Sequence, residues 1–292
     1  MSPVSTVSAA SRQGEVAPLP PGAPLLPASP TRVRVLAGFG HVLVSGLVDP
    51  ADVGLGTGNV SLRVGVHRPA GAQQALAARR SLLADAGLAL EQAVFAEQIH
   101  GAGVARVARG DMGRGSVRPA DAVADADALV TTEHGLGLVV LAADCVPLAL
   151  VAAGGVASVH VGRQGLYLGI VPAAVRALAA ASGGDPEHIS AVVGPAIGGC
   201  CYEVPAGMAA EVASSVPQAA ARTSWGTPAL DLRAGVDAQL RASGVTGVAR
   251  VGGCTRCGPG WFSHRASQSA ARPVGRHALV VTRQAVTQSQ AG

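Results

Sequence analysis

Lysine is absent from this chain of 292 residues: the 22 basic side chains are all arginine. Its absence excludes a Schiff-base lysine, a lysine-bearing phosphate loop and a Ser–Lys dyad. Charge is also sparse, at 14% of residues against about a quarter in ordinary soluble domains. Aromatic residues make up only 2%, so the apolar 49% is carried by Ala, Val and Leu and must pack as a core of small aliphatic side chains. A net charge of +4, with no basic run interleaved with aromatics, argues against nucleic acid as a partner. The longest apolar stretch, residues 136–152 (LGLVVLAADCVPLALVA), falls short of the roughly 20 residues of a spanning helix and is broken by Asp144 and Pro147. No membrane association is expected. Cysteine is limited to Cys145, Cys200, Cys201, Cys254 and Cys257, an odd count with two adjacent, which argues against a disulfide framework. The first residues lack a basic segment followed by an apolar one, so a secretory signal is not read there and a cytoplasmic location is expected.

The patterning predicts a Pro/Ala/Ser-rich tail over 1–31, one domain over 32–284 and a polar tail over 285–292. Within the domain, a helix is expected from Ala72 to about Ala86, stopped by Gly87. Strands are expected at AVFAEQIH, GVARVAR and DALVTTEHG, then in close succession at 138–143, 147–152 and 156–160, with Gly154-Gly155 as a hairpin turn. Helical periodicity returns at VPAAVRALAAAS, PAGMAAEVASSV and DLRAGVDAQLRASG, and strands at HISAVVGP and HALVVTR. Strands and helices are interspersed without strict βαβ alternation. The expected fold class is therefore α/β (α+β), with mixed β-sheets flanked by helices.

Soft and imidazole ligands stand at His100 in QIHG, Cys145 in AADC and His160 in SVHVG, each at or just after the end of an expected strand. Strand ends converge at a sheet edge, and two imidazoles with one thiolate suit zinc with a fourth position left open. The plainer reading is that each is a satisfied core residue. Asp144, inside the apolar run, is costly to bury unless hydrogen-bonded or close to a positive centre. It can pin a turn, orient a ligand or accept a proton. The CxxC of CTRCGPGWFSHR carries little by spacing: a zinc ribbon needs a second such pair, and adjacent Cys200-Cys201 does not provide one. A redox CxxC would open a helix, whereas Gly258-Pro259-Gly260 follows this one.

Taken in order, QIHG (98–101), DALVT (127–131), ADCVPL (143–148), HVGRQGL (160–166), GPAIGGCCYEV (194–204), FSHR (262–265) and GRHALVV (275–281) resemble the bacterial laccase-domain family. This family is also called YfiH-type, or multicopper polyphenol oxidoreductase. The resemblance implies a single domain of sheets flanked by helices and a zinc-type site, with copper possible, formed by His100, Cys145 and His160; Asp144, on the reading of its burial, joins them as a candidate catalytic residue. It implies a purine nucleoside as partner, with or without phosphate: phosphorolysis of adenosine, inosine, guanosine or methylthioadenosine, or deamination of adenosine. Arg163, Gln164, Tyr202, Ser263 and Arg265 are the candidate substrate contacts.

The chain departs from the family pattern where HAGWRG is usual: His160-Val161-Gly162-Arg163-Gln164-Gly165 places Gln164 at the usual arginine. The usual TxRxGGVS and following GD are not recognisable in VSGLVDPADVGLGTGNVSLRVGVH. Arginine is the best bidentate phosphate donor, so these losses weaken the expectation of phosphorolysis in particular. Other readings remain: a peptidoglycan-editing hydrolase with Cys145 as nucleophile and His100 or His160 as base, a copper polyphenol oxidase, and a nucleoside-binding or partner module with impaired catalysis.

Overall fold

The structure, a computed structural model, describes residues 32–37, 40–46, 58–64, 71–268 and 273–283. The expected tails over 1–31 and 285–292 lie outside the described residues, as does much of the divergent stretch before residue 71. The mixed β-sheets expected from the sequence are present, as two sheets packed face to face.

One sheet holds five strands in the order β1 (Arg32–Ala37), β2 (Gly40–Ser45), β13 (His277–Arg283), β6 (Gly137–Ala142) and β3 (Ala93–Phe95). The other holds six, in the order β12 (Gly247–Arg250), β9 (Ser190–Val193), β7 (Val146–Ala152), β8 (Gly155–Val161), β5 (Ala128–Thr131) and β4 (Val104–Arg106). A small ribbon pairs β10 (Ala220–Arg222) with β11 (Pro228–Leu230). The three strands adjacent in sequence are thus divided: β6 belongs to the first sheet, while β7 and β8 form a hairpin in the second. Its register pairs Ala152 with Gly155, so the turn is Ala153-Gly154, one residue before the expected position.

The alternation of side chains explains why β7 reads as an unbroken apolar run. Val146, Leu148 and Leu150 face a core formed with helices, while Ala149 and Val151 face the opposite sheet. The helix-side core receives α2 (Arg163–Tyr167), α3 (Ile170–Ser182), α4 (Ala206–Ser215) and α5 (Leu232–Ala242). In α3 the buried set Ile170, Val171, Ala174, Val175 and Leu178 makes one stripe at helical spacing, and Gly183 ends the helix at φ +70°. The outer face of the five-stranded sheet is covered by α1 (Gly71–Asp85), which buries Leu82 and Leu83 against Leu43, Val139 and Val280. A one-turn helix, α6 (His264–Ser267), follows β12. Among the described residues no helix is long and apolar enough to cross a membrane.

Candidate metal centre and its cavity

The chain passes from one sheet to the other at the turn between β6 and β7, and this turn carries Asp144 and Cys145. Asp144 takes φ +90°, a conformation that a non-glycine residue keeps only when its surroundings fix it. Its Oδ1 accepts a hydrogen bond from Thr255 Oγ1 at 2.6 Å and its Oδ2 accepts one from the Arg265 N–H at 2.7 Å. Its carbonyl accepts the Ile197 N–H at 3.0 Å. The carboxylate inside the apolar run is therefore satisfied on both oxygens and pins the turn that presents Cys145. Pro147 lies within β7, opposite His160.

His160 lies near the end of β8, on the face turned away from the helices that Val159 and Val161 meet. Its Nδ1 sits 2.8 Å from Oδ1 of buried Asp127, which immediately precedes β5. With Nδ1–H donating to this carboxylate, Nε2 is left as the ligating nitrogen. Asp127 also accepts the N–H groups of His100 at 2.9 Å and Gly101 at 2.7 Å. One carboxylate thus orients both imidazoles, one through its ring and one through its backbone.

His100 is not on a strand. β3 stops at Phe95, and Gln98 and His100 take φ +61° and +64° in the loop that follows. The Gln98 amide replaces strand pairing there: Nε2 donates to the Leu141 carbonyl at 2.7 Å and Oε1 accepts the Leu141 N–H at 2.9 Å. The ligand atoms of His100, Cys145 and His160 all lie within 4.8 Å of one another, and the two imidazoles meet edge to face. Gly162 makes room for them, since a Cβ there would come within 3.0 Å of His100 Cδ2 and 3.4 Å of Cys145 Sγ.

The electrostatics favour a thiolate. Burial works to raise the Cys145 thiol, but His160 and His100 outweigh it and bring it down to about 6. Burial likewise works to lower His160, yet the Cys145 thiolate and Asp127 raise it to about 9. Asp127 stays below the usual carboxylate range despite its burial, because His160, Gly101 and His100 donate to it. A negative sulfur and a buried imidazole oriented by a carboxylate form a donor set that fits a zinc-class cation.

The trio opens on a cavity of about 450 Å³, within the range of small-molecule sites. Asp144, Tyr202 and Arg265 line it, and Arg265 stacks over the Tyr202 ring at 5.4 Å. Arg163, Gln164 and Ser263 do not line it. Arg163 and Gln164 open α2, and Arg163 pairs with Glu211 of α4 at 3.4 Å. Ser263 is buried and caps α6, its Oγ accepting the Ala266 N–H at 3.1 Å. The cavity adds residues that sequence reasoning did not single out: Gln98, His264, Arg63 and Arg276. Gln98, Asp127, His264 and Arg276 all sit inside or beside the quoted motifs QIHG, DALVT, FSHR and GRHALVV, which was the available signal. Arg63 had none.

Residues 54–284 match the sequence profile of the family described as multi-copper polyphenol oxidoreductase laccase. A Streptomyces coelicolor protein named purine nucleoside phosphorylase SCO2081 is 48% identical over 204 residues, covering 69% of this chain and 81% of that protein. Purine nucleoside phosphorylase YlmD of Geobacillus stearothermophilus is 35% identical over 214 residues, covering 70% and 78%. The crystal structure of YlmD superposes with a TM-score of 0.75 at 30% identity, over 85% of this chain and 93% of that one. YfiH of Bacillus licheniformis gives a TM-score of 0.73 at 26% identity, over 84% and 93%. The profile, the relatives and the shared architecture agree that this chain belongs to the multi-copper polyphenol oxidoreductase laccase family.

Proposed function

We propose that this chain is a metal-dependent purine nucleoside phosphorylase whose substrate lies in the cavity over His100, Cys145 and His160. The observation that carries the reading is the opening of this trio on the same cavity as Arg63, Arg265 and Arg276. Guanidinium groups there supply what the sequence pattern had put in doubt, namely cations for an anionic co-substrate. Relatives named purine nucleoside phosphorylase support the substrate class.

In phosphorolysis a phosphate oxygen bonds to C1′ of the ribose while the C1′–N9 bond breaks, and the base departs with the bonding pair and takes up a proton. Arg63, Arg265 and Arg276 would hold the phosphate. Tyr202, with its phenol raised chiefly by burial and then by the Cys145 thiolate, stays protonated and can donate a hydrogen bond. Asp127 holds the imidazoles in place, and Asp144 holds the Cys145 turn. A zinc-class ion on the trio would supply a Lewis acid beside the substrate. Polyphenol oxidation is less well supported, because among the described residues no second cluster of histidines accompanies the trio.

Adenosine and inosine incubated with the zinc-loaded protein, with and without phosphate, provide the test. Phosphate-dependent release of free base and ribose 1-phosphate is expected, and Cys145→Ala should abolish it. Arg276→Ala should raise the KM for phosphate by about 10- to 100-fold, the effect of one charge-assisted hydrogen bond. Phosphate-independent conversion of adenosine to inosine would mean deamination instead. Turnover that survives Cys145→Ala, or none with any purine nucleoside, would overturn the proposal.

A further inference from the structure

Four of the five cysteines converge outside the catalytic cavity. β9 and β12 are parallel neighbours, so the loops leaving their C-terminal ends emerge side by side at one sheet edge. The first loop carries Cys200 and Cys201, the second Cys254 and Cys257. A bridge between Ala196 and Cys254 extends the pairing past the strands, with the Thr255 N–H donating to the Ala196 carbonyl at 3.0 Å. The adjacent pair and the CxxC, unrelated by spacing along the chain, therefore face each other.

The four sulfur atoms all lie within 4.8 Å of one another. Cys200 Sγ is 3.7 Å from Cys201 Sγ and 3.8 Å from Cys257 Sγ, and none of the four is in a disulfide. A tetrahedron with metal–sulfur bonds of about 2.3 Å has sulfur–sulfur edges of about 3.8 Å. The local backbone is shaped to hold a thiolate. In Cys254-Thr255-Arg256-Cys257-Gly258 the Gly258 N–H closes the turn on the Cys254 carbonyl at 2.8 Å. The Arg256 and Cys257 amides turn toward the Cys254 sulfur, and the Gly198 N–H reaches it from the other loop at 3.2 Å. Gly198 also keeps the space clear, since a Cβ there would lie 3.2 Å from Cys200 Sγ.

We propose that Cys200, Cys201, Cys254 and Cys257 bind one zinc ion as a closed, four-thiolate structural site, separate from the trio in the cavity. Four protein ligands complete a tetrahedron and leave no position for substrate, the arrangement of structural zinc. Sulfurs this close surround a single ion rather than a multi-iron cluster. The site would tie the loop that lines the cavity with Ile197 and Tyr202 to the loop that leads into α6, whose His264 and Arg265 also line it. Thr255, inside the CxxC, donates to Asp144, and Tyr202 directly follows Cys201. The ion would thereby brace the turn that presents Cys145.

The full chain, purified under reducing conditions from zinc-supplemented cells, is examined by elemental analysis and native mass spectrometry. His100→Ala/Cys145→Ala, lacking two of the three cavity ligands, is expected to keep one zinc ion per chain. Cys254→Ser/Cys257→Ser is expected to lose that ion. Should the serine variant not fold, cobalt substitution of His100→Ala/Cys145→Ala still decides. A tetrahedral spectrum with intense thiolate-to-cobalt charge transfer supports the site, and weak octahedral bands overturn it. Iron in place of zinc, a disulfide among the four cysteines, or a zinc-free cavity variant with four freely reactive thiols would each overturn the proposal. Every one of these readouts is independent of nucleoside turnover.

Discussion

At the scale of single residues, the carboxylate that organises the candidate metal centre is Asp127, and its effect is felt entirely through its neighbours. It is buried to 2% exposure and accepts from the His160 ring and from the backbone amides of His100 and Gly101. An asparagine of the same shape keeps one acceptor oxygen and presents an NH₂ where a second acceptor is needed. It cannot accept from both amides through two oxygens, and it removes the charge that fixes the His160 tautomer. Asp127→Asn is expected to weaken zinc binding at the cavity trio by about 10- to 100-fold, as losing an orienting partner does in other sites. It should also lower stability by about 1–3 kcal/mol through the unsatisfied buried donors. Competition with a chromophoric chelator measures the first effect and urea unfolding the second. An unchanged zinc affinity would show that the ligands hold their positions without Asp127.

At the scale of elements, the site is built where regular structure stops, which decides what the sequence makes legible. β7 and β8 are covered on both faces, so their apolar runs announce themselves, and the helical stripe of α3 does the same. The identities of His100, Cys145 and His160 are readable as ligand types, expected at or just after strand ends. The QIHG loop is not readable as a loop, because what bends it lies far along the chain: Asp127 and the Leu141 backbone. Five residues of α2 are too few to show a helical period, so the helix that carries Arg163 and Gln164 is not legible in the sequence. The four-cysteine group is hidden because spacing rules count along one chain, whereas parallel strands bring two distant loops together. Gly162, the junction between β8 and α2, has φ −85°, which any residue can adopt, so its requirement is for space. Gly162→Ala is therefore expected to fold, at a cost of about 1 kcal/mol for alanine as a poor helix cap. Its methyl group, 3.0 Å from His100 Cδ2, should displace the imidazole and reduce zinc affinity at the trio by at least about tenfold. Titration of the purified variant beside wild type would detect this, and equal affinities would mean that the loop gives way freely.

At the scale of the whole molecule, the two sheets enclose a core of small aliphatic side chains, and one polar group within it couples folding to pH. His277 opens β13 opposite Ala142, the last residue of β6, and is fully buried against Trp261 at 5.7 Å between ring centres. Burial lowers its pKa from 6.5 to about 4. A group with a depressed folded pKa favours the native state while neutral. Its contribution is therefore fully present above pH 6.5 and is lost as pH falls from there toward about 4. The shift corresponds to roughly 3 kcal/mol at about 1.4 kcal/mol per pH unit. Other perturbed groups at the site act elsewhere on the pH scale. In metal-free protein, His160, raised to about 9, loses its contribution only as pH rises above 6.5. Cys145, lowered to about 6 from 9.0, loses its contribution mainly between those values. Asp127, lowered from 3.8, loses its contribution below that value. His277 is consequently the perturbed group best isolated between pH 6 and pH 4.5. Urea midpoints of wild type should fall steeply across that interval, while His277→Leu, with nothing to protonate there, should follow a flatter course at similar m-values. Parallel pH profiles for the two proteins would show that acid sensitivity arises elsewhere in the molecule.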